Sequence, residues 1–157
     1  MAASKLAVTD PYTSKKLKSL SYASERSLQQ TLKELEQTFT WARTVPRHER
    51  ARWLHSLAET LKAERDQWAA LLSAEAGKPL TLAGAEVDRA IQVAELASHE
   101  ALRLGGDVVG LDLAPQGRSG LGITTRFARG IILGITPFNF PLNLVMHKVA
   151  PALASGN

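Results

Sequence analysis

The chain has 157 residues, 45% hydrophobic and 22% charged, which suits one soluble globular domain with a real core. A formal net charge of +4, not gathered into a long basic stripe, argues against nucleic acid as a partner. The absence of cysteine excludes a disulfide framework and thiolate-ligated metal, and it fits a reducing, cytoplasmic setting.

Residues 1–23 read as an arm or extended lead-in. Lys15, Lys16 and Lys18 form its densest basic run, expected as a solvated tail and not as a phosphate site. No apolar central run marks a secretory signal. Asp10, and no Arg before Arg26, argue against a mitochondrial presequence.

Four helical patterns follow. The first spans residues 24–42, with Leu28, Leu32, Leu35, Phe39 and Ala42 on one face. Ser24 or Ser27 can cap it, and Gln30 three residues after Ser27 would complete a capping box. The second starts at Pro46 as first helical residue, with Leu54, Leu57, Ala58 and Leu61 as its stripe. The third covers 65–76, with Trp68, Leu71 and Leu72 inward; Gly77 supplies a left-handed stop and Pro79 follows. The fourth covers 80–104, lined by Val87, Ile91, Ala94, Ala97 and Ala101 and ended by Gly105 and Gly106.

The pattern then changes. Residues 108–113 and 121–127 are strand-like around a Pro115 to Gly120 turn and read as a long hairpin; Gly120 and Gly122 mark a bend or bulge in it. Residues 130–136 are apolar on both faces, as a central parallel strand would be. Residues 137–141 form a loop, and 142–155 a helix that Pro151 should kink or break. A parallel strand needs a neighbour reached by a crossover, and none follows, so the order of elements suggests the front of a longer protein. Residues 131–154 approach membrane-spanning length. Pro137, Pro141, Asn139, Asn143, His147 and Lys148 make a buried strand, loop and helix the better reading, with no membrane partner.

Pro137-Phe138-Asn139-Phe140-Pro141 is the one constellation that carries chemistry. Two prolines fix the backbone around an amide, at the carboxyl end of a strand, where α/β sheets face their ligands. A rigid Asn there can donate an N–H to a developing oxyanion. On the bare loop alone, capping the helix that follows is the favoured reading of Asn139. His48 and His55 lack a third ligand and read as surface residues, so no metal is expected. Trp41, Trp53 and Trp68 read as packing between helices. Glu75, Glu86 and Glu100 read as solvated charges on helices.

The run from Gly130 through Gly-Ile-Thr-Pro-Phe-Asn-Phe-Pro-Leu-Asn-Leu to Lys148 and Ala-Pro-Ala-Leu-Ala-Ser-Gly-Asn157 resembles the aldehyde dehydrogenase superfamily along its length. Glu75-Ala-Gly-Lys-Pro79 with Glu86-Val87, and Trp41 with Arg50 and Leu54, resemble its helical region, so the likeness covers 24–157.

The resemblance implies an α/β fold: N-terminal helices, a β-hairpin oligomerisation arm, and the first strand-loop-helix of a Rossmann-like parallel sheet, as an incomplete domain. The segments would be an arm at 1–23, the helical part of the cofactor-binding domain at 24–106, the hairpin at 107–128 and the start of the sheet with the Asn loop at 129–157. Asn139 matches the family's oxyanion-stabilising Asn. Ile135, Thr136, Pro137 and Phe138 match the loop against the nicotinamide of NAD or NADP, and Lys148 matches a lysine of the next helix.

The implied reaction oxidises a small aldehyde to an acid through a Cys thiohemiacetal, in a homo-oligomer. Phe138, Asn143, His147 and Lys148 resemble members acting on small hydroxylated or phosphorylated aldehydes, such as lactaldehyde or glyceraldehyde 3-phosphate. The family's Cys and Glu base have no counterpart in this sequence, so the chain alone should be inactive. The alternatives are a non-catalytic helical and hairpin interaction module, or an acylating relative. No Gly-x-Gly-x-x-Gly is present, which fits a Rossmann-like fold with a different phosphate-binding mode.

Overall fold

A computed structural model describes residues 5–117 and 119–157. In chain order it holds β1 (Lys5–Thr9), β2 (Lys16–Ser21), α1 (Glu25–Ala42), α2 (Arg47–Ala63), α3 (Arg65–Ala76), α4 (Leu80–Arg103), β3 (Val108–Gly110), β4 (Leu121–Ile123) and α5 (Asn143–Ala154). Helix α4 is the hub, packed against α2, α3 and α5. Its small residues Ala83, Ala90, Ala94, Ala97 and Ala101, with Val87 and Ile91, meet Ala51, Leu54, Ala58 and Leu61 of α2, Ala69 and Leu72 of α3, and Met146, Ala150 and Ala154 of α5. Short side chains at these contacts let the helices approach closely.

The helical periods hold, with local corrections. Leu54, Ala58 and Leu61 of the α2 stripe and the expected face of α4 are buried, and Leu57 is partly so. Pro46 precedes α2 as its N-cap and is not its first helical residue. In α3, Leu72 is buried and Trp68 partly so, but Leu71 is exposed and Ala69 takes the inward place. Gly77 ends α3 at φ 64°, the left-handed conformation expected of it. Ser24 caps α1 by accepting the Ser27 N–H. The alternative box does not form, because Gln30 donates instead to Glu34 one turn on. Helix α5 continues through Pro151 without a break.

Three larger departures share one cause: apolar surface without a neighbour. The face of α1 that carries Leu28, Leu32 and Leu35 is exposed, and α1 has no buried residue. Among the described residues, the hairpin of residues 108–127 forms a ladder over Val108–Gly110 and Leu121–Ile123, in antiparallel register with Val109 opposite Gly122, and backbone bonds add Leu111 to Gly120 and Thr124 to Asp107. Residues 131–136 have no ladder partner among the described residues, and Ile131, Ile132, Leu133 and Ile135 are exposed. A strand is stabilised by its neighbours, and no parallel neighbour occurs among the described residues. The tip residue Arg118, part of the turn read from sequence, lies outside the described residues.

The lead-in is itself a hairpin. β1 pairs antiparallel with β2, Leu6 opposite Leu20 and Val8 opposite Lys18. The Asp10 carboxylate accepts the N–H groups of Thr13 and Tyr12, which holds it below the usual carboxylate range. Ser14 adopts φ 59° in the same turn. Lys15, Lys16 and Lys18 are exposed, as expected of solvated lysines. Among the described residues, no helix is long and apolar enough to cross a membrane.

Arg65 of α3 bridges to Asp88 of α4 in a bidentate pair at 2.6 and 2.7 Å. The guanidinium holds the Asp88 carboxyl below its ordinary value. A depressed folded-state value means that the pair's contribution is present above the unfolded pKa of about 4 and is lost as pH falls through the folded-state value. Both groups are substantially exposed, so the contribution is small. Asp88→Asn should therefore flatten part of the acid-side loss of stability, read as urea midpoint against pH from about 5 down to about 2.

Candidate active site

The loop 137–141 leads into α5, and its shape is set from beneath by Glu86. This side chain lies on the α4 face that carries Ala83, Val87 and Ala90, and it is only 1% exposed. Its Oε1 accepts the N–H groups of Leu142 at 2.9 Å and Asn143 at 3.1 Å, the first donors of α5. Its Oε2 meets the Lys78 ammonium at 2.5 Å. Lys78 also donates to the Asn139 carbonyl at 3.0 Å and lies 4.7 Å from the centroid of the Phe140 ring. Glu86 is therefore not a solvated charge. A carboxylate at a helix N-terminus satisfies orphan N–H groups and opposes the positive end of the helix dipole, which makes its burial tolerable. The sequence held a signal for it, since residues 83, 86, 87, 90 and 94 repeat at helical spacing.

This arrangement decides what Asn139 is free to do. The alternative role, capping α5, is occupied: Leu142 stands at the N-cap without a side-chain bond of its own, and Glu86 supplies the acceptor. The Asn139 side chain is exposed, and no hydrogen bond engages it among the described residues. Its peptide is held through the carbonyl while its side chain is left exposed.

The other predicted site residues lie nearby in chain but not in one cavity. Ile135 is 76% exposed, Phe138 91%, Pro137 is exposed and Thr136 half-buried. The Lys148 stem runs beside Gly134, where an added Cβ would stand 3.5 Å from its Cδ. Lys148 then lines a cavity of about 370 Å³ with Trp41, Trp53, Ile132 and Arg50. Neither Phe138 nor Asn139 lines that cavity. Asn143 is buried, and its Oδ1 has no partner among the described residues. His147 faces a separate groove with Leu96 and Leu104 of the α4 end. The four residues read together as a substrate signature therefore do not converge.

Two further contacts fix the path into the loop. Asn157 Oδ1 accepts the N–H groups of Arg129 at 2.6 Å and Gly130 at 2.8 Å, pinning the start of the 130–136 segment to the end of α5. Arg50 donates to the Ala154 carbonyl at 3.0 Å, a cation at the negative end of α5. Burial, with Arg47 nearby, pushes the Arg50 guanidinium below its ordinary value. Trp41 and Trp53 stack at 5.9 Å between α1 and α2, the interhelical packing expected of them. His48 and His55 are exposed, and no cluster of metal-ligating side chains occurs among the described residues.

The residues present would suit the ring of a nicotinamide cofactor better than its phosphates. The exposed apolar run Ile135, Pro137 and Phe138 offers a face for a flat ring beside Asn139. The α5 N-terminus, where a Rossmann-type helix would receive the pyrophosphate, is already filled by the Glu86 carboxylate, which would repel it.

Comparison with known proteins shows the family. The aldehyde dehydrogenase family model matches residues 1–157. An aldehyde-dehydrogenase-like protein of Sinorhizobium fredii is 36% identical over 152 residues, covering 97% of this chain and 30% of that relative. The NADP-dependent glyceraldehyde-3-phosphate dehydrogenase of Bacillus halodurans, solved with NADP, superposes with a TM-score of 0.90 at 29% identity, over 98% of this chain and 33% of that one. Aldehyde dehydrogenase 21 of Physcomitrella patens, solved with the reaction product succinate, superposes with a TM-score of 0.91 at 31% identity, over 99% and 32%. The fold is thus the mixed α/β arrangement of the N-terminal part of such enzymes. The chain belongs to the aldehyde dehydrogenase family and spans about a third of the length of the relatives it matches.

Two substitutions should separate holding the loop from using it. Glu86→Ala leaves Lys78 unpaired and two α5 donors unsatisfied, and should cost roughly 3–5 kcal/mol in chemical denaturation. Asn139→Ala removes a side chain that contacts little and should cost no more than about 0.5 kcal/mol.

Proposed function

We propose that this chain supplies the oxyanion-stabilising loop of an enzyme that oxidises a small aldehyde to a carboxylic acid with NAD or NADP. The observation that supports it most is the exposed Asn139 side chain, without a hydrogen bond among the described residues: a buried carboxylate has taken over the helix-capping task that would otherwise explain the residue. In the family's chemistry a thiolate adds to the aldehyde carbon, and negative charge develops on its oxygen. Asn139 Nδ2–H donates to that oxygen, in a position set before the substrate arrives. Ile135, Thr136, Pro137 and Phe138 present the apolar edge against which the nicotinamide lies, and bound NAD(P)+ supplies the hydride acceptor. Lys148, beside Gly134, contributes positive charge along the same segment.

The sequence contains no cysteine, so the attacking thiol belongs to another stretch of polypeptide. The same applies to the family's Glu base, since Glu75 and Glu100 are exposed on helices and Glu86 is committed to α5. The hairpin of 107–128 serves as an oligomerisation arm, consistent with the exposed Leu113, Leu121 and Ile123. Solved relatives carrying NADP support a nicotinamide cofactor without choosing between its two forms. Lack of a thiol also favours a second reading, in which these helices and hairpins act as an interaction module.

The 157-residue polypeptide should show no aldehyde-dependent cofactor reduction. Joined to a segment carrying the thiol and base, it should turn over, and Asn139→Ala should lower kcat about 10²–10³-fold. Turnover indifferent to Asn139 would overturn the proposal. Absence of turnover in every such context, with a defined protein partner bound instead, would favour the interaction module.

A further inference from the structure

We propose that Lys78, locked by Glu86, is a positioning residue that sets the orientation of the Asn139 peptide, an inference that rests on the oxyanion role given to Asn139 above. The ammonium lies at the α3–α4 junction, with its side chain 13% exposed. It reaches three groups at once: Glu86 Oε2 at 2.5 Å, the Asn139 carbonyl at 3.0 Å, and the Phe140 ring at 4.7 Å from its centroid. Glu86 in turn holds the Leu142 and Asn143 N–H groups. The turn is therefore gripped on both sides of Pro141, by one ion pair that comes from 56 to 61 residues away in sequence. Pro137 and Pro141 fix their own dihedrals, which leaves the Asn139 and Phe140 peptides as the ones needing restraint.

Stability alone is a poor reason for this pair. Burying a carboxylate and an ammonium is costly to desolvate, and apolar residues of similar size often serve as well. The α5 cap needs only an uncharged acceptor at position 86, so what the charged pair adds is a directional bond to the Asn139 carbonyl. Rotating that peptide swings the Asn139 amide, and a displacement of about 1 Å in a reacting geometry can cost up to about 10²-fold in rate.

The test uses the double variant Lys78→Met/Glu86→Gln. The amide oxygen of the new Gln still caps α5, so the fold is kept while the tie to Asn139 is lost. Hydrogen exchange at Leu142 and Asn143 should stay slow, which checks the cap. The ¹³C resonance of the Asn139 carbonyl should shift, and the amides of Phe138, Asn139 and Phe140 should become more mobile. In a polypeptide that also carries the thiol, kcat should fall about 10–100-fold with KM within about twofold, and Lys78→Arg alone should stay near the unsubstituted rate. An unmoved Asn139 carbonyl and unchanged loop dynamics in the folded double variant would overturn the positioning role, whatever the kinetics. An Asn139→Ala variant with full kcat would instead defeat the oxyanion role, while the carbonyl shift and loop mobility would still decide whether Lys78 orients the peptide. A fall in kcat that Lys78→Arg shares fully would also count against the positioning role, since a second cation should reach the same carbonyl.

Discussion

One carboxylate carries the architecture of the loop. Glu86 sits inside the helical core at the start of α5, where two backbone donors would otherwise be orphaned, and it holds Lys78 against the Asn139 carbonyl. Removing a buried charge from water is unfavourable unless dipoles and a counter-ion surround it. Here the helix end and the ammonium do so, and the geometry they require is the geometry of the loop. The α4 scaffold thereby determines where the Asn139 backbone sits, while its side chain stays uncommitted.

The same division, a secured backbone and an open surface, runs through the rest of the chain. The core of α2, α3, α4 and α5 is close-packed, built on alanines and a few larger side chains. Around it stand exposed apolar surfaces without a partner among the described residues: the Leu28, Leu32 and Leu35 stripe of α1, the residues 131–135, and both short hairpins. Unpaired strand backbone and apolar stripes of this kind are what a sheet or a further layer covers. They agree with a chain that spans about a third of its relatives. The Ile135 to Phe138 edge is likewise open, while the α5 N-terminus is closed by Glu86.

Much of this is legible in the sequence, for identifiable reasons. Helices α2 to α4 declare themselves by apolar spacing, Gly77 by the need for positive φ, and the Asn139 loop by its flanking prolines. The resemblance carried by the last segment matches the family that the comparisons show. Glu86 is misread when a helical Glu is taken as solvated, although its register with Ala83, Val87 and Ala90 marks it as inward. The β1–β2 hairpin escapes the pattern because Ser and Lys dilute the alternation of Leu6, Val8, Leu17 and Leu20, and because its turn depends on Asp10 binding its own backbone. Residues 130–136, strand-like in sequence, form no ladder among the described residues, since pairing belongs to a neighbour as much as to the segment itself.

The central claim is that a buried ion pair fixes this loop so that the Asn139 amide meets the oxygen of a reacting carbonyl. A crystal structure of a thiol-bearing polypeptide containing this chain, trapped with an aldehyde as a covalent adduct, tests it most directly. The expected adduct has Asn139 Nδ2 about 3 Å from the carbonyl-derived oxygen, with Lys78 still bonded to the Asn139 carbonyl. An adduct oxygen held by other donors, with the Asn139 side chain turned away beyond about 4 Å, would contradict it.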